Sequence, residues 1–315
     1  MTLCRTAVIG LGEQGKRHAQ KFAALDECRL VAVVDPVSER AAEVALGHGI
    51  DAVADYRDLN GEVDAVAIAT PTASHFEIAH TLLENDIDVL IEKPFTAMMD
   101  EASQLVALAE GRSRILQVGH QERFNPAVLA LADCIEKPLF IESNRIAPYR
   151  PRSLDDSVVF DLMIHDIDLI HSFVRSPTVR VDAVGRKVFS NSIDVANARI
   201  QFENGCVANV TSSRISLKTE RSIRVFQEQS YASLDLLNRS VRTFDKVAGR
   251  PCKSPDDVEM KSLTFEESDS MLAQSRAFIA SVAGGPPPLV SGRTAMESLG
   301  TAEQISALVE RECGT

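Results

Sequence analysis

Three short stretches of this chain carry residue types that can do chemistry. The first, GLGEQG, spaces Gly10, Gly12 and Gly15 as G-x-G-x-x-G. A strand-like run, RTAVIGL, leads into it and a helix-like run, EQGKRHAQKFAAL, leads out, which is the context a dinucleotide site requires. Gly10 permits the tight turn, Gly12 lets backbone approach a pyrophosphate, and Gly15 lets helix and strand pack closely. The first helical residues, Glu13 and Gln14, border an N-terminus that faces the anion. Asp35 ends the next strand-like run, 20 residues past Gly15, where an acidic side chain binds the adenosine ribose hydroxyls. Its charge would repel a 2′-phosphate, which favours NAD over NADP, although Arg40 is near enough in sequence to offset it. The alternative for Asp35 is a plain strand-end cap.

The second stretch, LIEKPF, puts Glu92 and Lys93 at the carboxyl end of a strand, where ligands of open α/β sheets lie. Pro94 biases Lys93 toward an extended conformation. A lysine there can donate a hydrogen bond, or act as a base if desolvation lowers its pKa; the alternative is a surface lysine. In TPTASH, after another strand, Thr70, Pro71 and His75 border the same crevice, with His75 read as capping or packing rather than reacting. In GHQERFNP, His120 and Gln121 are placed to reach the cofactor, and Arg123 and Asn125 to cap the next helix.

The third stretch, DLMIHDIDLIH, runs from Asp161 to His171 and sets ionisable groups among core-like residues. Plotted at about 100° per residue, Asp161, His165, Asp168 and Ser172 share one line, whereas Asp166 and His171 fall off it. Leu162, Met163, Ile164, Ile167, Leu169, Ile170, Phe173 and Val174 cover most of the remaining surface. A bare buried aspartate is costly, so the line is a satisfied core stripe, a metal site or an acid/base site. Asp161 and His165 are i, i+4 neighbours, and a carboxylate beside an imidazole orients it and raises its pKa. With no obvious fourth protein ligand, no metal is assigned; beside a cofactor domain, the acid/base reading is preferred.

These residues need elements to position them. Up to about residue 120 the chain alternates buried strand runs (RTAVIGL, CRLVAVVD, VDAVAIAT, IDVLIEK, RILQVGH) with helical runs. Continuous apolar strands are buried on both faces, and strand–helix alternation implies a parallel, doubly wound sheet. Afterwards strands dominate, with ENG at 203–205 as a hairpin signal and GRPCKSPDD as a loop. The predicted fold is α/β: a Rossmann domain over residues 1–121, then an α+β domain over residues 122–315 with a mostly antiparallel open sheet. The net charge of −12 argues against a general nucleic-acid or anionic-membrane surface. No apolar run is long enough to span a membrane, no signal peptide opens the chain, and the six cysteines lack zinc-like spacing. A cytoplasmic protein with reduced thiols is expected.

Taken together and in order, the glycines with Asp35, Glu92-Lys93-Pro94, and Asp161-x3-His165 resemble the Gfo/Idh/MocA oxidoreductases, over nearly the whole chain. The resemblance implies NAD as cofactor, a second domain whose open sheet makes homodimers or homotetramers, and a cis Lys93–Pro94 peptide. It also implies an active site of Lys93, Asp161 and His165. The stretches GHQERFNPAV, NRIAPYRPRS, VVFDLMIHDIDLI and ANARIQFENGCVANVTSSRIS are similar to a bacterial branch acting on a nucleotide sugar. That likeness implies oxidation of the 3-hydroxyl of UDP-N-acetylglucosamine, with a partner aminotransferase aminating the ketone for a diamino-sugar lipid A. Arg145, Tyr149 and Arg150 are candidates to hold the diphosphate, their alternative being exposed loop residues. Other readings are an inositol-type sugar or polyol dehydrogenase, a non-catalytic NAD-binding sensor, and a metal-dependent hydrolase.

Overall fold

Strands that are apolar on both faces must be covered on both sides, and the chain does this with helices. The computed structural model describes residues 3–150, 157–247, 251–266 and 268–313. Its first sheet joins β1 (Cys4–Ile9), β2 (Cys28–Val34), β3 (Asp51–Val53), β4 (Ala65–Ile68), β5 (Asp88–Ile91) and β6 (Leu116–Val118). The order is β3-β2-β1-β4-β5-β6, with every pair parallel. Helices α1 (Glu13–Ala23), α2 (Ser38–His48), α3 (His75–Glu84) and α4 (Met99–Arg112) make the crossovers. The strand order reverses between β1 and β4, the switch point at which such sheets bind ligands. The residues of β4 and β5 are all buried, as continuous apolar runs require. The three-residue β3 escaped sequence reading because DAV is too short to show a period.

The second sheet has eight strands: β7 (Phe140–Ile146), β8 (Thr178–Arg186), β9 (Val195–Phe202), β10 (Val207–Ser213), β11 (Glu220–Phe226), β12 (Ser230–Asp235), β13 (Ser240–Lys246) and β14 (Val258–Thr264). Their order is β14-β13-β12-β11-β7-β10-β9-β8; β7 and β10 run parallel and the other neighbours antiparallel. In β9, Ala196, Ala198, Ile200 and Phe202 alternate inward, the pattern of a sheet with one packed face. They share a core with Ile164, Ile167, Ile170 and Phe173 of α6 (Ile164–Val174) and with Leu131 of α5 (Pro126–Ala132). The predicted hairpin forms at 203–205, with Gly205 at φ +88°. Sequence reading missed β14, most of whose residues are exposed and show no apolar period.

The chain does not divide at a single point. One compact unit comprises Met1–Gln121 and Asp269–Met296, the other Glu122–Ser268 and Glu297–Thr315. This corrects a division into 1–121 and 122–315, because α7 (Ser270–Val282) returns to the first unit. Phe278 and Ile279 of α7 share the core of Phe22 in α1, and the Phe22 and Phe278 rings stack with centroids 6.4 Å apart. Periodicity marks α7 as a helix but does not say which sheet it covers. The last helix, α8 (Gly292–Cys313), starts in the first unit, and its later residues Ala302, Ile305 and Val309 lie in the second unit's core.

The β8–β9 connection is closed by one carboxylate. Asp194 is fully buried; its Oδ2 accepts the N–H groups of Val188, Phe189 and Ser190 at 2.7–2.9 Å, and its Oδ1 accepts the Ser190 hydroxyl at 2.7 Å. Next to it, the Ile193 carbonyl accepts the Val158 N–H, which anchors the start of the segment bearing Asp161. Burial pushes the Asp194 carboxyl up, but these four donors outweigh it and bring it down to about 2. Its stabilising contribution is therefore complete above the ordinary 3.8 and is lost as pH falls through about 2. Asp194→Ala should cost about 2–3 kcal/mol near neutrality. Urea unfolding should show the wild-type advantage shrinking over that acid window.

Candidate active site

In the first unit the predicted cofactor residues gather at the carboxyl ends of β1, β2, β4, β5 and β6. Gly10 follows β1 at φ +84°, and a Cβ there would lie 2.8 Å from the Ala69 carbonyl and the Thr70 amide. A Cβ on Gly15 would overlap the Gly10 carbonyl oxygen, so α1 crosses the β1 turn at a distance only glycine permits. Gly12 is the N-cap of α1, and no side chain caps that first turn. Glu13 pairs with Arg17 in the next turn. The Gln14 Oε1 is buried with no hydrogen-bond partner. An uncapped helix start with an unsatisfied buried acceptor beside it suits a dinucleotide pyrophosphate and its ribose hydroxyls.

Asp35 does more than a ribose ligand need do. It is 3% exposed; its Oδ2 accepts the Leu11 N–H at 2.7 Å and its Oδ1 the Val37 N–H at 2.9 Å. It thus pins the glycine loop to the end of β2. Arg40 lies 3.1–3.2 Å from both oxygens. Burial raises the Asp35 carboxyl, but the two amides and Arg40 outweigh it, and it stays below its ordinary value. The strand-end cap and the proximity of Arg40, both weighed from sequence, are therefore present in the structure.

At the ends of β4 and β5 the structure separates the residues by role. Thr70 Oγ1 accepts the Ser74 hydroxyl, and Pro71 leads into the turn before α3. His75 is buried, with Nε2 2.9 Å from the Thr70 carbonyl and Nδ1 3.0 Å from that of Pro94. It joins two loops through backbone, so it packs rather than facing a ligand. The Lys93–Pro94 peptide is cis, as the resemblance implied. Glu92 is held on three sides: His18 Nε2 lies 2.8 Å from Oε1, Oε2 accepts the Lys93 N–H at 3.3 Å, and a Cβ on Gly119 would come within 3.0 Å of the carboxyl. Burial pushes the Glu92 carboxyl up, but His18 and Lys93 outweigh it and the net direction is down. Sequence reading missed His18, although it lies on the face of α1 that carries Gly15, three residues on. Gln121 ends this unit, opening a 3-10 turn after β6.

In the second unit the segment DLMIHDIDLIH is not one regular helix. Val159–Met163 forms a π-helical turn and only then does α6 begin. The wider turn is a local departure from the uniform helical pitch of the sequence plot at Asp161. Both are half-buried, whereas Asp166, Asp168 and His171 are buried. Asp166 meets Arg145 at 2.8 Å, and Arg145 also reaches Glu122 at 3.2 Å. Asp168 lies 3.7 Å from Arg123 and 3.4 Å from the Ser298 hydroxyl. The His171 Nε2 lies 2.9 Å from the Thr301 hydroxyl, and burial pulls His171 down to about 4. The third stretch thus splits: Asp166, Asp168 and His171 are buried core groups held by Arg145, Arg123 and Thr301, and Asp161 and His165 are only half-buried.

Arg145 changes standing. Burial lowers its guanidinium, but Asp166 and Glu122 outweigh that and hold it above its ordinary value. Its guanidinium is 3% exposed and bound to two carboxylates, so it is a structural cation rather than an arm for a diphosphate. Tyr149 and Arg150 are exposed, with the Tyr149 ring edge-on to Phe189 at 5.5 Å. The end of NRIAPYRPRS falls in residues 151–156, outside the described residues. Among the described residues no group of three or more His, Cys, Asp or Glu side chains is arranged to hold a metal ion.

Comparison with known proteins places both parts of the chain in one family. A family model described as "Oxidoreductase family, NAD-binding Rossmann fold" matches residues 4–120, and one described as "GFO/IDH/MocA C-terminal domain" matches residues 142–232. The chain is 37% identical over 307 residues to the UDP-N-acetylglucosamine 3-dehydrogenase of Acidithiobacillus ferrooxidans, covering 97% of each chain. A solved structure of that protein superposes with a TM-score of 0.92, at 36% identity and 99% coverage of both chains. The scyllo-inositol 2-dehydrogenase (NAD(+)) of Bacillus subtilis is 30% identical, covering 67% of this chain and 68% of its own.

Removing Arg145 would leave the buried Asp166 without its cation, while Glu122 keeps Arg221 at 3.3 Å. Arg145→Met should lower stability by about 3–5 kcal/mol, whereas Tyr149→Phe should leave it within about 0.5 kcal/mol. Guanidinium titrations of the two variants check this.

Proposed function

The chain belongs to the Gfo/Idh/MocA oxidoreductases, and we propose that it oxidises the C3 hydroxyl of UDP-N-acetylglucosamine to the ketone with NAD. The observation that carries this reading is the full-length likeness to a UDP-N-acetylglucosamine 3-dehydrogenase, in a chain that retains Glu92-Lys93-Pro94, Asp161 and His165. NAD, when bound, supplies the hydride acceptor. The glycine loop from Gly10 to Gly15 and the start of α1 hold its pyrophosphate, and Asp35 with Arg40 meets the adenosine ribose. His165, oriented by Asp161, takes the hydroxyl proton as the C3 hydrogen leaves with its electron pair. Lys93 donates a hydrogen bond to the same oxygen and stabilises its developing negative charge. Tyr149 and Arg150 are the remaining candidates to contact the nucleotide diphosphate.

Three further parts belong to the reading. The ketone is an acceptor for an aminotransferase, which makes that enzyme the natural partner in building a diamino-sugar lipid A. The second unit's sheet leaves Val184 and Met260 exposed on the face opposite its packed one, which supports a homodimer or homotetramer formed through that face. The cytoplasm is where NAD and UDP-sugars meet, and among the described residues no helix is long and apolar enough to cross a membrane.

The test is NADH formation from NAD and UDP-N-acetylglucosamine. Because alcohol oxidation by NAD is uphill near neutral pH, the assay needs a carbonyl trap or a glutamate-dependent aminotransferase. NADH should appear with this nucleotide sugar and not with free N-acetylglucosamine or inositol; turnover of inositol alone would move the substrate to the polyol class. Lys93→Met should reduce kcat by at least about 100-fold with NADH affinity nearly unchanged, and retained turnover would sink the assignment of Lys93.

A further inference from the structure

We propose that His18 is a positioning residue for this reaction, acting through Glu92 on the backbone of Lys93. The inference rests on the reading that Lys93 works on the substrate oxygen. His18 lies on the buried face of α1, fully out of solvent, one helical turn past Gly15. Its Nε2 is 2.8 Å from Glu92 Oε1, while Glu92 Oε2 accepts the N–H of Lys93 at 3.3 Å. Gly119 forms the third wall, since a Cβ there would come within 3.0 Å of the same carboxyl group. A carboxylate only accepts, so the proton between His18 and Glu92 belongs to Nε2.

The path of these contacts gives the pair its significance. Helix α1 opens at the glycine loop and carries His18 one turn in, and His18 fixes the residue next to Lys93. One rigid element therefore sets both the loop meant for the pyrophosphate and the backbone of the lysine. An apolar residue at position 18 could fill the same space, but it would leave Glu92 buried without its donor and the Lys93 amide without a fixed acceptor.

The test uses two amides that imitate opposite ends of the imidazole. The glutamine amide nitrogen falls near the position of Nε2, and the asparagine nitrogen near that of Nδ1. His18→Gln should therefore keep the bond to Glu92, and His18→Asn should lose it. In the full-length protein without cofactor, hydrogen exchange at the Lys93 amide should quicken by about tenfold or more in the asparagine variant and match wild type in the glutamine variant. With NAD and UDP-N-acetylglucosamine, kcat should fall by about 10–100-fold in the asparagine variant, with KM for NAD within about threefold, and recover in the glutamine variant. Equal exchange in the two variants overturns the inference, as does full turnover in an asparagine variant whose exchange has quickened. A wild type that turns over no nucleotide sugar counts against the functional reading instead, and the exchange comparison alone then decides the clamp. Should the asparagine variant fail to fold, Glu92→Gln, which keeps the volume and removes the charge, should show the same faster exchange and lower kcat.

Discussion

The first unit depends on a close approach of backbone to backbone. Helix α1 crosses the end of β1 where a single added carbon on Gly15 would overlap the Gly10 carbonyl. That crossing fixes the direction of α1, and much follows from it. The Gly10 N–H reaches the Val34 carbonyl at 2.8 Å and the Leu11 N–H reaches Asp35 at 2.7 Å, so the glycine loop is tied twice to the end of β2. The same direction leaves the first turn of α1 without a side-chain cap, and it carries His18 inward to Glu92. A helix displaced by one side chain would break these contacts together. Close packing here is a condition of the chemistry as well as of stability.

The second unit solves a different problem, which is how to set the rotation of a helix that is apolar almost all round. Hydrophobic burial has no direction, so Ile164, Ile167, Ile170 and Phe173 alone would tolerate some rotation of α6. The buried ionic contacts do not. Asp166 requires Arg145 and Asp168 faces Arg123, and a helix turned by one position would strand both carboxylates in apolar surroundings at a cost of several kcal/mol. Such pairs add little net stability because desolvation offsets their attraction. Their effect is to select one rotation, which keeps Asp161 and His165 on the less buried side.

The fold was legible wherever a single period dominated. The parallel sheet showed in its continuous apolar strands and the hairpin at 203–205 in its turn residues. The glycine loop was legible because its spacing encodes sterics directly. Less legible were features that depend on what comes back in space. Helix α7 looked like any amphipathic helix, and the core it enters, with Phe22 among its members, shows only in space. Arg145 looked like a cation beside a ligand because its anchors, Glu122 and Asp166, lie 23 and 21 residues away in sequence. The π-helical turn at Val159–Met163 left no mark in composition, so a uniform plot could not show where the helix widens.

The sequence already set His165 apart from His75 and His171, and their surroundings separate the three further. His75 meets only backbone carbonyls, which cannot deliver a proton, and it is closed off from solvent. His171 meets a threonine hydroxyl, and burial holds it near 4. A general base is most effective with a pKa near the working pH, and burial holds His171 well below that. Both histidines are therefore excluded by their partners rather than by their positions in the sequence. His165 follows the π-helical turn at the start of α6 and keeps partial access to solvent. A widened turn leaves backbone geometry that a regular helix would not choose, and such turns concentrate at functional sites. Of His75, His165 and His171, only His165 combines partial access to solvent with an irregular backbone beside it.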